Sequence, residues 1–249
     1  MNTTLLKQII AEQPYPLLFM TVSGAHLYGF PSPDSDYDLR GAHLLPLREV
    51  LGLLPSNETV KFEEIRDGVE IDLETHDVLK YFHLLMQKSG NMLEQIYSPL
   101  VLATHPLHDE LKQVTRHYIT RHHVHHYLGF SKSQWELFDK ERPRRVKPLL
   151  YTFRVLLSGI HLMRTGEVEA NLVHLNEIYK LAYVPELIAR KLAGGEQGTL
   201  TDSDVTFYQR EYERLRAELE AAHAESTLPD AAPGREALHE LLLKIRLGA

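Results

Sequence analysis

Short apolar runs bounded by turn residues occur in the first part of the chain. Residues 17–22 (LLFMTV) lie between a proline segment and Ser-Gly, and they predict a buried strand. Residues 36–45 alternate between polar and apolar and predict a second strand. Residues 60–65 and 69–73 flank an Arg-Asp-Gly turn, which predicts a β-hairpin.

Helical spacing dominates the rest of the chain. It predicts helices over 2–13, 75–88, 107–127, 131–140, 147–164, 185–193, 204–224 and 235–247. Strands that precede a long helical region indicate an α+β fold, here a small mixed sheet with helices followed by an all-helical C-terminal domain. We place the boundary at His105-Pro106, which gives domains 1–104 and 105–249.

Two closely spaced acids follow the first predicted strand and a Pro-rich loop. Asp36 and Asp38 are separated by one residue, so on a strand both carboxylates point to one face while Tyr37 and Leu39 point to the core. Two negative charges held that close repel each other, and a divalent cation between them removes the repulsion. An ordinary turn is the alternative explanation for such a pair.

A second acidic strand follows in the predicted hairpin. Glu70, Asp72 and Glu74 alternate with apolar residues and share one strand face. If this strand neighbours the first, one of the three completes a carboxylate cluster that holds two Mg²⁺ ions. A solvated sheet face explains the same alternation without any function.

The order of these motifs resembles the nucleotidyltransferase domain of the DNA polymerase β superfamily, and most closely its RNA-repair-associated branch. The similarity covers roughly residues 17–167. The matching segments are Gly24-x-x-x-Tyr28-Gly29, Ser35-Asp36-Tyr37-Asp38-Leu39-Arg40-Gly41, Asn91-x-Leu93-Glu94, Ser98-Pro99, the helix from Lys147 to Arg154, and Arg164-Thr165-Gly166-Glu167.

The resemblance implies a polymerase-β-like mixed sheet and a role for each matching residue. It implies that Asp36, Asp38 and Asp72 bind two Mg²⁺ ions, for which Mn²⁺ is an alternative, and that Asp72 activates the acceptor. The family pairs glycine with serine, whereas this chain has Gly24-Ala25 with Ser23 on the other side. The nucleotide-binding residues that it implies are Ser23, Gly24, Ala25, His26, Tyr28, Ser35, Lys147, Tyr151 and Arg154.

The helix that starts near Lys147 carries a cationic stripe. Lys147, Tyr151 and Arg154 recur at helical spacing on an otherwise apolar helix, which needs an anionic partner. A nucleoside triphosphate is one candidate, and the acids of the protein itself are the other. Just upstream, the basic segment 140–147 fits either a nucleic-acid backbone or a solvated loop.

Histidines are concentrated between His117 and His126. His122 and His126 are four residues apart, a spacing that suits either zinc binding or a solvated or packed helix face. No acidic residue lies between positions 115 and 134 to complete an HExxH-type site. A solvated or packed helix face is therefore the favoured interpretation.

The amino-acid composition excludes or disfavours further classes of protein. The 249 residues include no cysteine, which excludes disulfides and thiolate chemistry, and the net charge of −7 disfavours non-specific nucleic-acid binding over the whole surface. No apolar run is long enough to span a membrane, and the predicted location is the cytoplasm.

The predicted activity is the transfer of a nucleoside monophosphate from a nucleoside triphosphate to a hydroxyl acceptor, with an RNA end as the acceptor that the resemblance suggests. Two alternatives stay open: the same chemistry on a small molecule or a protein, and a nucleotide-binding module without turnover. Neither the base nor the oligomeric state follows from the sequence.

Overall fold

The structure is a computed structural model that describes residues 3–54, 56–195, 198–200 and 204–248. The predicted helix start at Asn2 lies outside these residues. Within them the chain divides into two compact units. The first comprises residues 1–24, 36–118 and 231–249, and the second comprises residues 25–35 and 119–230. The predicted boundary at residues 104 and 105 falls within the first unit.

The first unit is built on a five-stranded sheet in the order β3-β4-β2-β1-β5. The strands are β1 (Leu17–Val22), β2 (Tyr37–His43), β3 (Thr59–Arg66), β4 (Val69–Asp77) and β5 (Val101–Thr104). The helices that accompany them are α1 (Thr3–Ala11), α2 (Gly24–Tyr28, which runs into the second unit), α3 (Leu47–Val50), α4 (Val78–Met86), α5 (Gly90–Ile96), α6 (Pro106–Arg116) and α12 (Arg235–Leu247).

The sheet is mixed. β2 runs parallel to β4 and antiparallel to β1, and β3 and β4 form the predicted hairpin. Asp67 and Gly68, with φ angles of 54° and 76°, supply the two left-handed residues that a two-residue hairpin turn needs. The apolar side chains of β1, β2 and β4 pack with α1 into one core. The predicted α+β class and mixed sheet are confirmed.

Helix boundaries differ from the prediction in several places: the helix predicted over 107–127 ends at Arg116, and the helix predicted over 131–140 begins at Val124. β4 continues to Asp77, and the Asp77 carboxylate rather than Thr75 caps α4 by accepting a hydrogen bond from the Leu79 amide. The sequence pattern also missed α5 and β5. The four residues of β5 are too few to show a period, and the strand is defined by its pairing with β1.

The second unit is helical. It contains a 3-10 turn (Arg121–His123), α7 (Val124–Lys140), α8 (Val146–Thr165), α9 (Leu172–Tyr179), α10 (Val184–Gly194) and α11 (Val205–Glu225). Fifteen of the 20 residues of α8 are buried, and α7, α9, α10 and α11 pack around it. Gly159 lets α7 approach closely, because a Cβ there would lie 2.8 Å from that of Tyr127. In the described part of the chain, no helix is long and apolar enough to cross a membrane.

Candidate active site

Asp36 and Asp38 lie at the start of β2, on the opposite face from the core. Tyr37 and Leu39 are buried and belong to the core, whereas both aspartates are half-buried. The predicted alternation is therefore confirmed. Asp36 immediately precedes the strand and Asp38 lies within it.

The register between β2 and β4 identifies the acid that faces the pair. Asp38 lies directly opposite Asp72, in adjacent parallel strands whose buried residues Leu39 and Leu73 are also opposite each other. The two carboxylates consequently share a face of the sheet, side by side. Glu74 lies two residues further along, opposite Arg40. Among the three predicted candidates, the geometry favours Asp72.

Arg40 links the two carboxylates, a role that the sequence analysis did not assign. Its Nη2 donates to Asp38 Oδ1 at 2.9 Å and to Asp72 Oδ2 at 2.6 Å, and its Nη1 donates to the backbone carbonyls of Leu39 and Asp72. Burial would lower the pKa of this guanidinium, but the Asp72 hydrogen bond and the charges of Asp38 and Asp72 outweigh burial and raise it. The sequence does contain an indication of this role, because Arg40 lies two residues after Asp38 and therefore on the same strand face.

The oxygen chemistry of this cluster suits a hard divalent cation. Asp72 Oδ1 is buried, and within the described residues it has no hydrogen-bond partner, which leaves one lone-pair-bearing oxygen available as a ligand. Across the same described ranges, however, no group of three or more histidine or carboxylate side chains is already arranged to hold a metal ion. The structure thus brings Asp38 and Asp72 together and leaves Asp36 two residues away on the same face.

Gly24 lies against the Asp38 carboxylate. Its φ angle is +59°, and a Cβ at this position would overlap the Asp38 carboxylate, so both the backbone conformation and the close approach require glycine. The neighbouring Ser23 amide donates to the Asp38 carbonyl at 2.8 Å. These contacts fix the turn after β1 next to the acid pair.

In the second unit, four predicted nucleotide-binding residues form an aromatic and cationic group. The Arg154 guanidinium lies 3.8 Å from the ring centroid of Tyr28, and Tyr151 packs edge-on against Tyr28 at 5.3 Å. The Lys147 ammonium lies 6.0 Å from the Tyr151 ring centroid. Arg154 is only 1% exposed. The pKa of the neighbouring His126 is lowered to about 4, chiefly by the burial of His126 itself and to a smaller extent by the positive charge of Arg154.

The other predicted nucleotide-binding residues are more enclosed. Ala25 is buried, and its carbonyl accepts a hydrogen bond from the Phe30 amide. His26 is half-buried. The Ser35 hydroxyl lies in a buried cluster with Ser32 and Lys191. Their contact with a nucleotide stays a prediction.

Two other predicted features have local partners. In the basic segment 140–147, Arg144 pairs with Asp139 at 3.0 Å and Arg145 pairs with Glu141, so acids of the same unit offset part of its charge. His122 lies in the 3-10 turn before α7 and not on the helix that carries His126. The helical spacing proposed for a zinc pair therefore does not apply.

The fold and this cluster define the class of the protein: a mixed sheet that carries paired aspartates beside a glycine turn, as in polymerase-β-like nucleotidyltransferases. The chain matches the RNA repair pathway DNA polymerase beta family over residues 2–244, and it belongs to that family.

Similar proteins come from bacteria and archaea. Uncharacterized protein MJ0002 of Methanocaldococcus jannaschii is 32% identical over 169 residues, which is 66% of this chain and 66% of that protein. Uncharacterized protein YcgL of Bacillus subtilis is 24% identical over 84% of each chain. A nucleotidyltransferase-like protein from Exiguobacterium sibiricum has a solved structure that matches 98% of this chain and 86% of that chain, with 14% identity and a TM-score of 0.33.

Proposed function

We propose that this protein is a cytoplasmic, Mg²⁺-dependent nucleotidyltransferase that transfers a nucleoside monophosphate from a nucleoside triphosphate to a hydroxyl of an RNA end. The observation that carries the proposal is the placement of Asp38 directly beside Asp72 on adjacent parallel strands, with the Gly24 backbone against Asp38. Membership of a family that its description links to RNA repair supports the choice of acceptor.

Asp36, Asp38 and Asp72 are the residues that would hold Mg²⁺, or Mn²⁺ in its place. When bound, the divalent cations supply charge stabilisation for the triphosphate and lower the pKa of the acceptor hydroxyl. Asp72 Oδ1, which has no hydrogen-bond partner among the described residues, and the hard carboxylate oxygens of all three aspartates support this assignment.

The proposed reaction is an in-line displacement at the α-phosphorus. The acceptor oxygen forms a bond to phosphorus as the bond to the bridging oxygen of pyrophosphate breaks, and pyrophosphate leaves with that electron pair. Asp72 accepts the hydroxyl proton. The cationic and aromatic group of Tyr28, Lys147, Tyr151 and Arg154 is assigned to nucleotide binding, because lysine and arginine complement phosphate charge and tyrosine rings stack on bases.

The test is transfer of label from α-³²P nucleoside triphosphates to RNA oligonucleotides in the presence of Mg²⁺, with pyrophosphate release measured in parallel. Asp36→Asn, Asp38→Asn and Asp72→Asn are expected to lower turnover by about 100-fold or more, because each removes a ligand or the base. Glu70→Gln is the matched control, since Glu70 is an exposed acid on the strand that carries Asp72.

Three outcomes bear on the alternatives. Nucleotide binding without pyrophosphate release from any acceptor would assign the protein to the non-catalytic binding modules. Pyrophosphate release with an aminoglycoside or a protein but not with RNA would keep the chemistry and reject the RNA acceptor. Equal loss in Glu70→Gln and Asp72→Asn would remove the assigned role of Asp72.

A further inference from the structure

The loop before Asp36 contains a tight turn closed by its own serines. In Ser32-Pro33-Asp34-Ser35, the Ser35 amide donates to the Ser32 carbonyl at 2.9 Å, with proline at the position where its fixed φ favours a turn. The Ser32 amide donates to Ser35 Oγ at 3.0 Å, and the two hydroxyl oxygens are 3.1 Å apart. Both serines are buried. Backbone and side-chain hydrogen bonds therefore both close the turn.

Lys191, on α10, binds this turn from within the second unit. Its side chain is 0% exposed, and its ammonium donates to Ser32 Oγ and, at 3.2 Å, to Ser35 Oγ. Burying an ammonium group is costly unless it is hydrogen-bonded. A methionine would fill the same space without that cost, so the presence of lysine indicates a role for its charge or for its hydrogen bonds.

The end of α10 contacts the turn a second time. Gly195 has a φ of +60°, and a Cβ at this position would lie 2.5 Å from Asp34 Oδ2. The Asp34 carboxylate therefore packs against the Gly195 backbone while Lys191 binds the serines on either side of it. Two residues at the end of one helix thus hold the turn.

The course of the chain connects this turn to the acid pair. The backbone leaves the first unit between Gly24 and Ala25 and returns to it between Ser35 and Asp36. Asp36 is the residue that directly follows the turn, and β2 begins at the next residue. On its N-terminal side, the position of Asp36 therefore depends on the turn that Lys191 holds.

We propose that Lys191 is a positioning residue for Asp36: by holding the Ser32–Ser35 turn, it sets the Asp36 carboxylate for divalent-cation binding. The proposal rests on the proposed function, in which Asp36 is a metal ligand. Removal of a residue that orients a metal ligand without binding the metal itself typically lowers metal affinity by about 10-fold to 100-fold.

Mn²⁺ binding to the full-length protein, measured by electron paramagnetic resonance without nucleotide, tests this role. Lys191→Met and Ser32→Ala are each expected to raise the Mn²⁺ dissociation constant about 10-fold or more. Arg190→Met is the matched control, because the adjacent Arg190 is partly exposed and pairs with Glu186 outside the turn. The part of the bound-Mn²⁺ signal that is lost in Asp36→Asn is the part that belongs to this site.

Circular dichroism and thermal unfolding, recorded on every variant, separate positioning from simple destabilisation. A positioning role predicts weaker Mn²⁺ binding in variants that keep the wild-type spectrum, and Ser32→Ala decides the matter if Lys191→Met does not fold. Dissociation constants within twofold of the wild type would overturn the proposal. If the wild-type protein shows no Mn²⁺ binding that is lost in Asp36→Asn, the result contradicts the metal site of the proposed function, and the role of Lys191 falls with it.

Discussion

At the scale of single residues, Arg40 controls the electrostatics of the carboxylate cluster. One guanidinium nitrogen bridges Asp38 and Asp72, while the other is anchored to two backbone carbonyls. Because these anchors hold its guanidinium within hydrogen-bond distance of both acids, Arg40 offsets part of the repulsion between them. The same side chain competes with any cation for the two oxygens that it binds.

Arg40→Met is expected to lower the free energy of unfolding by about 2 kcal/mol, because hydrogen bonds to charged groups are lost and two acids remain uncompensated. The loss should be smaller in an Asp72→Asn background, where only one charge remains, and urea unfolding of the double-mutant cycle measures the difference. Lys132→Met is the control: its pair with Glu136, on α7, is exposed on both sides and should change the free energy of unfolding much less. Equal losses in both backgrounds would contradict this account of Arg40.

The residue scale also shows where sequence reasoning stops. Alternation along one strand was enough to predict that Asp36 and Asp38 point away from the core, because that property is local. It left Glu70, Asp72 and Glu74 equivalent, because the choice depends on the register between β2 and β4, which are separated by a hairpin strand and a loop. The contact of Arg40 with Asp72 depends on the same register.

At the scale of secondary-structure elements, α12 stabilises the sheet-bearing unit, although the sequence analysis placed it in the helical domain. Arg246 donates to the Leu45 carbonyl at 2.9 Å and to the Asp77 carboxylate. Asp77 also accepts hydrogen bonds from the amides of Leu45 and Leu79. One buried carboxylate therefore joins β4, α4, the segment after β2 and the last helix.

Arg246→Met is expected to destabilise the protein by about 3 kcal/mol or more, because it leaves the buried Asp77 carboxylate without its cation. Thermal and urea unfolding measure the loss. Lys244→Met, on the same helix, is the control: its pair with Glu110 is about 40% exposed on both sides and should contribute less than about 1 kcal/mol. Similar losses for the two variants would show that α12 is held by its apolar face and not by the ion pair.

At the scale of the whole molecule, neither compact unit is one continuous stretch of the chain. The sequence predicted a sheet-bearing part followed by a helical part, because strand and helix periods are local patterns. Neither the transfer of residues 25–35 to the helical unit nor the return of residues 231–249 to the first unit has a local signal. Both depend on long-range packing and specific contacts such as those of Lys191 and Arg246.

Buried and half-buried histidines in the two units make the stability of the protein pH-dependent. Burial is the largest cause that lowers the pKa of His43, His108 and His126 to about 4, from an ordinary value of 6.5. The unfolded chain therefore binds protons that the folded protein excludes, and stability is fully present above pH 6.5 and falls as the pH drops from 6.5 towards 4. Each such histidine adds a slope of up to about 1.4 kcal/mol per pH unit in that window.

Urea unfolding at pH 7.5, 6.5, 5.5 and 5.0 is expected to show this decline. His108→Gln should reduce the slope of stability against pH by up to the contribution of one histidine, because the glutamine side chain does not titrate. The variant should also be less stable at every pH, because it loses the ring packing against Phe19. A stability that is independent of pH between 6.5 and 5.0 in the wild type would contradict the assignment of these histidines as neutral in the folded protein.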